Sequence, residues 1–119
     1  MEFCKSRGIT VQAVSTFSHF RSNEPRMEIL NNEILKNIAL QHNKSVVQIV
    51  LKWLTQQNII ATIKSQNPEH IKENISIFDF ELSKNEMEMI DSLDQGKCLN
   101  YNPYLAHILK SIPTKYRRV

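Results

Sequence analysis

The chain has little of what marks several large classes of protein. Its two cysteines, Cys4 and Cys98, show neither metal-ligand spacing nor a dense pattern, which argues against a zinc site or a disulfide framework. A reducing cytoplasm is the expected setting. No run approaches the roughly 18 apolar residues of a membrane-crossing helix, and the opening "MEFCKSRGIT" is too polar for a secretory leader. Internal repeats and low-complexity segments are missing as well. Charge of one sign is also scarce: the net value is only +3, and basic residues cluster only at the end, in "KYRRV". That end reads as a solvated tail, so neither nucleic acid nor a membrane is expected as a partner.

What is present fits a folded domain. The composition is 41% hydrophobic and 23% charged, too apolar for a disordered chain. With 119 residues there is room for one core.

The order of elements reads as alternating helix and strand. In "GITVQAV" the β-branched residues predict a strand over 9–14, after a glycine that can end a helix. "STFSHFRSNEPRM" has no clean period and reads as a loop. Ile34, Leu35, Ile38 and Ala39 recur at helical spacing from a cap at Asn31 or Asn32, predicting a helix to about His42, whose imidazole complements the dipole at that end. Ser45 caps a second helix over 46–57, so apolar around its circumference that it must be covered on more than one side, with Trp53 in the core. "NIIATIKS" predicts a buried parallel strand over 59–63. Asn67 and Pro68 then open another helix with Ile71 and Ile75 on one face. After "FDFEL", the pair Ser83 and Glu86 forms a capping box for a helix carrying Met87, Ile90 and Leu93. Leu105, Ile108 and Leu109 fit one short helix in the tail.

The stretch "IKSQNPEHIKEN", Ile63 to Asn74, stands out chemically. A lysine and a serine at a strand end, just before a helix N-terminus, set a cation beside free N–H groups and a positive dipole end, an arrangement that attracts phosphate. In barrels of alternating strands and helices a phosphate site recurs after strands seven and eight. Most strand-to-helix junctions bind nothing, so spacing alone leaves the point open.

"FCKSRGITVQAVS" and the long stretch from "NNEILKNIALQHNKSVVQIVLKWLTQQNIIATIKSQNPEHIKEN" through "FDFELS" and "IDSLD" resemble the C-terminal part of the aldo-keto reductases, from the end of the sixth barrel helix onward, over roughly residues 2–97. The most specific piece is "KSQNPEHIKEN", similar to the family's cofactor motif. The resemblance implies a partial (β/α)8 TIM barrel with about two strands and four or five helices, occupying residues 1–97, followed by a divergent tail over 98–119. It also implies carbonyl reduction with NADP(H). Lys64 would contact the 2′-phosphate of the adenosine ribose with Ser65 beside it, and Glu73 and Asn74 would hydrogen-bond the adenine.

Departures from the pattern are informative. His70 stands where the motif has arginine; it offers fewer donors and is mostly neutral at pH 7, which weakens the preference for NADPH and admits NAD(H). Ile63 replaces the proline usual before the lysine. In "QAVSTFS", Val14 takes the place of the tyrosine that stacks under the nicotinamide, while Ser15 is retained as a cofactor-binding candidate and Thr16, Phe17 and Ser18 do not match. His19 and Phe20 in the same loop read as exposed or packed residues. The family's tetrad of aspartate, tyrosine, lysine and histidine belongs to the first half of its barrel, and no position here matches it: not Tyr101, Tyr104 or Tyr116, and not His19, His42, His70 or His107.

Two strands of such a barrel have open edges. The partners this implies are a nicotinamide dinucleotide and either a separate N-terminal half or further copies of the chain. A different class, a small basic helical module that binds nucleic acid or protein, resembles a helix-turn-helix over 32–42 and 46–57, but the second helix is too apolar for a recognition face, its early polar residues being only Gln48 and then Lys52.

Overall fold

The computed structural model describes residues 1–14, 16–17 and 24–94. Ser15, His19, Phe20, the tail 98–119 and the helix expected around Leu105, Ile108 and Leu109 lie outside them. Among the described residues the order is α1 (Glu2–Ser6), β1 (Val11–Ala13), α2 (Glu24–Asn31), α3 (Glu33–His42), α4 (Val46–Gln56), β2 (Ile59–Ala61), α5 (Pro68–Ile75) and α6 (Lys84–Asp91). The strands are parallel, with Val11 opposite Ile59 and Ala13 opposite Ala61, and three helices lie between them, as a parallel connection requires.

Local chemistry sets most boundaries. The Asn32 side chain accepts hydrogen bonds from the Ile34 and Leu35 amides and starts α3. Asn43 ends it in the left-handed region, at φ 52°, a conformation that asparagine tolerates better than most residues. Ser45 with Gln48, and Ser83 with Glu86, form reciprocal capping boxes on α4 and α6. Gly8, at φ 66°, follows the end of α1.

Three expectations need correction. Residues 24–27 are helical: α2 occupies part of the stretch read as a loop, which brings the described helices to six against four or five expected. Its proline falls in the first turn, where the missing N–H costs nothing. Both strands are three residues long rather than six and five, because each pairs only with the other; one further bond runs from the Thr62 amide to the Ala13 carbonyl. Ile71 and Ile75, expected to line a packed face of α5, are exposed, and α5 buries no residue.

The core forms where α3 crosses α4. Ile38 and Ile49 are completely enclosed, with Leu35, Val50, Leu51 and Ile90 around them and Ile77 and Leu82 closing one side. Polar side chains then clamp the later segments to α4. Gln56 and Leu82 exchange two hydrogen bonds, at 3.0 and 2.7 Å. Buried Lys52 pairs with Glu81 at 3.0 Å, and the half-buried indole of Trp53 donates to Asp91 at 2.9 Å. Gln48 and Lys52 are thus buried, so α4 has neither of the side chains that a recognition helix would present.

His42 is more than a local helix-end residue. Its Nε2 lies 2.7 Å from Glu86 Oε1 and its ring packs on Phe80 at 5.2 Å, joining α3 to α6. Lys44 and Lys52 approach the same phenyl ring at 5.2 and 5.6 Å.

Candidate functional site

The chain leaves β2 at Ala61 and reaches α5 through residues 62–67. Asn67 caps α5 by accepting from the Glu69 amide at 3.0 Å, and Pro68 supplies a pre-set φ at the first helical position. The Ser65 hydroxyl accepts from the Asn67 amide at 3.2 Å and reaches its carbonyl at 3.4 Å, closing the turn. This ties down Ser65, which the sequence leaves as a free hydroxyl. It also holds Lys64 just ahead of the helix, exposed and without an ion-pair partner among the described residues.

Five of the six candidates, Lys64, Ser65, His70, Glu73 and Asn74, line one open cleft of about 890 Å³. Ser15 is outside the described residues. The far wall comes from the segment after β1, where Val14, Thr16 and Phe17 face the cleft. Thr16 adds something that the motif does not contain: its Oγ1 is buried and has no hydrogen-bond partner among the described residues. Such an atom calls for a polar group to complete it. An unpaired ammonium, an unpaired hydroxyl and the N-terminal end of a helix around one cleft suit an anionic, oxygen-rich ligand.

Two carboxyls beside this region are perturbed. The hydrogen bond from Lys44, at 2.7 Å, holds the Asp79 carboxyl below its ordinary range. Burial pushes the Glu86 carboxyl up, but the hydrogen bonds from Ser83 and His42 outweigh it and leave the group below the usual glutamate value. Asp79 is bound by Lys44, between α3 and α4, and Glu86 by His42 of α3, and neither lines the cleft, so they stabilise the scaffold.

Parallel strands separated by helices, with an anion-suited cleft at the carboxyl end of the second strand, are the arrangement of an alternating α/β fold. Residues 1–95 match the sequence profile of the Aldo/keto reductase family, and the chain belongs to that family. It is 42% identical over 94 residues to aldose reductase B of Dictyostelium discoideum, covering 79% of this chain and 29% of that protein. Against glyoxal reductase of Bacillus subtilis the identity is 38% over 102 residues, covering 86% and 34%. Among solved structures, MGS-M4, an aldo-keto reductase from a Medee basin deep-sea metagenome library, superposes with a TM-score of 0.74 at 33% identity, over 82% of this chain and 35% of that one. The chain therefore spans about a third of the length of the relatives it matches.

Proposed function

We propose that residues 1–97 form the C-terminal part of an NAD(P)H-dependent carbonyl oxidoreductase and hold the adenosine and 2′-phosphate end of its dinucleotide. The observation that carries this reading is the convergence of Lys64, Ser65, His70, Glu73 and Asn74 on one cleft with the Thr16 hydroxyl, which has no partner among the described residues.

The residues present fit that group. The Lys64 ammonium pairs with the 2′-phosphate dianion, and Ser65 can turn its hydroxyl from the Asn67 carbonyl toward the same oxygens. By the family motif, Glu73 and Asn74 would hydrogen-bond the adenine, and Ser15 would belong to the nicotinamide end. His70 lacks the fork of a guanidinium, so NADP(H) is favoured over NAD(H) only through Lys64 and Ser65. The bound cofactor supplies hydride transfer; the side chains described here bind and orient. With no residue at a tetrad position, these 119 residues by themselves reduce no carbonyl. The cytoplasm is the proposed location.

A second reading has its own observation. Val14, Ile60 and Phe78 are exposed apolar side chains, at 63%, 53% and 78%, and among the described residues each strand of the pair has a free edge. The remaining strands of a barrel would cover these surfaces, so the chain acts as a complementing portion that regains carbonyl reduction with the missing part. Calorimetric titration with NADP+ tests the first reading: saturable binding lost in Lys64→Ala supports it, and no binding by a folded chain overturns it. Mixing with the N-terminal part of a relative tests the second; NADPH oxidation with an aldehyde at no mixing ratio would reject it.

A further inference from the structure

Helix α5 carries three of the cleft residues, His70, Glu73 and Asn74, yet it has no buried residue of its own and exposes Ile71 and Ile75. Apolar packing therefore does little to fix its position. What does fix its far end is a polar side chain from another helix. Gln48, on α4, is 6% exposed. Its Oε1 accepts from the Ser45 amide at 3.0 Å, and its Nε2 donates to the carbonyl oxygens of both Glu73 and Ser76, each at 3.0 Å. Both carboxamide protons are thus spent on the last turn of α5, 25 and 28 residues further along the chain.

Carbonyls at a helix C-terminus have no partner within the helix. A buried amide that bonds two of them helps set the height and rotation of that turn; the Glu73 carbonyl also accepts from the Ser76 amide at 3.0 Å and the Ser76 carbonyl from Lys44 at 3.3 Å, so removing Gln48 takes away the buried half of this bonding. Resting on the cofactor reading above, we infer that Gln48 is a positioning residue for the adenine end of the cleft: it holds the α5 turn that presents Glu73 and Asn74 and touches no ligand itself. Lys64 and Ser65 lie before α5 and are held by their own turn at Asn67. Gln48 therefore governs the part of affinity common to both dinucleotides, and Lys64 the part owed to the 2′-phosphate.

The test is titration of the chain and of Gln48→Met, similar in size, with NADP+ and with NAD+, alongside amide hydrogen exchange. Gln48→Met is expected to weaken both ligands about tenfold and in parallel, to speed exchange in residues 71–75, and to leave α3 and α6 protected. Lys64→Ala is expected to weaken NADP+ alone. Ser45→Ala, which removes a capping hydroxyl from α4 but leaves the Gln48–α5 bonds, should lower the melting temperature without changing either affinity. If Gln48→Met does not fold, Gln48→Glu replaces it, since its carboxylate still accepts from Ser45 but donates to neither carbonyl. Parent-like affinities in the folded variant overturn the role of Gln48 and leave the cofactor reading standing. The same affinity loss in Ser45→Ala overturns it too, by tracing the effect to α4 stability. A folded parent chain that binds neither dinucleotide overturns the cofactor reading itself, and this inference with it.

Discussion

The imidazole of His42 and the carboxylate of Glu86, 44 residues apart, meet at 2.7 Å and join the C-terminal turn of α3 to the N-terminal turn of α6. Glu86 serves two partners at once, because its other oxygen accepts from the Ser83 amide at 2.7 Å. Its long-range bond and its capping bond therefore stabilise each other. Glu86→Gln is expected to lower unfolding free energy by about 2 kcal/mol, measured by urea denaturation. A double-mutant cycle with His42→Ala should return a coupling near 1 kcal/mol; additive single effects would refute the link.

The two perturbed carboxyls set the acid limit. Glu86 and Asp79 are held below their ordinary values, 4.5 and 3.8, in the folded chain. A depressed folded-state pKa means the unfolded chain takes up protons first as pH falls, so the stabilisation is complete above the ordinary value and is lost below it. Denaturation midpoints should stay level from neutral pH to about pH 5 and then drop. Glu86→Gln should flatten part of that drop, and an unchanged acid profile would count against the assignment.

Ile49 is fully enclosed at the crossing of α3 and α4. Ile49→Ala removes buried methyl and methylene groups and leaves a cavity, at an expected cost of about 3 kcal/mol. The same change at exposed Ile71 should cost less than about 0.5 kcal/mol. Equal costs at the two positions would mean that the core lies elsewhere.

Substitution at the cleft should separate the two dinucleotides. Lys64→Ala is expected to reduce NADP+ affinity at least about tenfold by removing a charge-assisted contact. NAD+ affinity should hardly move, and an equal loss for both would place the lysine away from the 2′-phosphate.

His70→Arg adds a permanent charge and a planar fork beside the same cleft. It should raise NADP+ affinity about tenfold and increase the preference over NAD+. No gain in calorimetry would mean that position 70 does not face the phosphate.

Much of the scaffold was legible in the sequence because its causes are local. Asn32, Ser45, Asn67 and Ser83 act on amides two or three residues away, so the starts of four helices could be read from residue type and spacing. The run at 59–61 declared itself by continuous apolar character, although the end of that strand depended on where its partner stopped. The lysine, serine and proline motif likewise belongs to one short stretch, so five candidate residues were found without a structure.

Tertiary structure decided what depends on distant partners. Thr16 mismatches the motif, and only folding reveals that its hydroxyl lies buried at the cleft with no partner among the described residues. Gln48 reads in the sequence as an early polar residue of the second helix and His42 as a helix-end residue, yet folding bonds them to Glu73, Ser76 and Glu86. Sequence spacing reports neighbours along the chain, whereas a buried amide or imidazole must satisfy its hydrogen bonds with whatever packing brings close. The sequence by itself therefore determined the starts of α3, α4, α5 and α6 and the phosphate-seeking motif, whereas α2 and the long-range bonds of Gln48 and His42 were decided only by the packed chain.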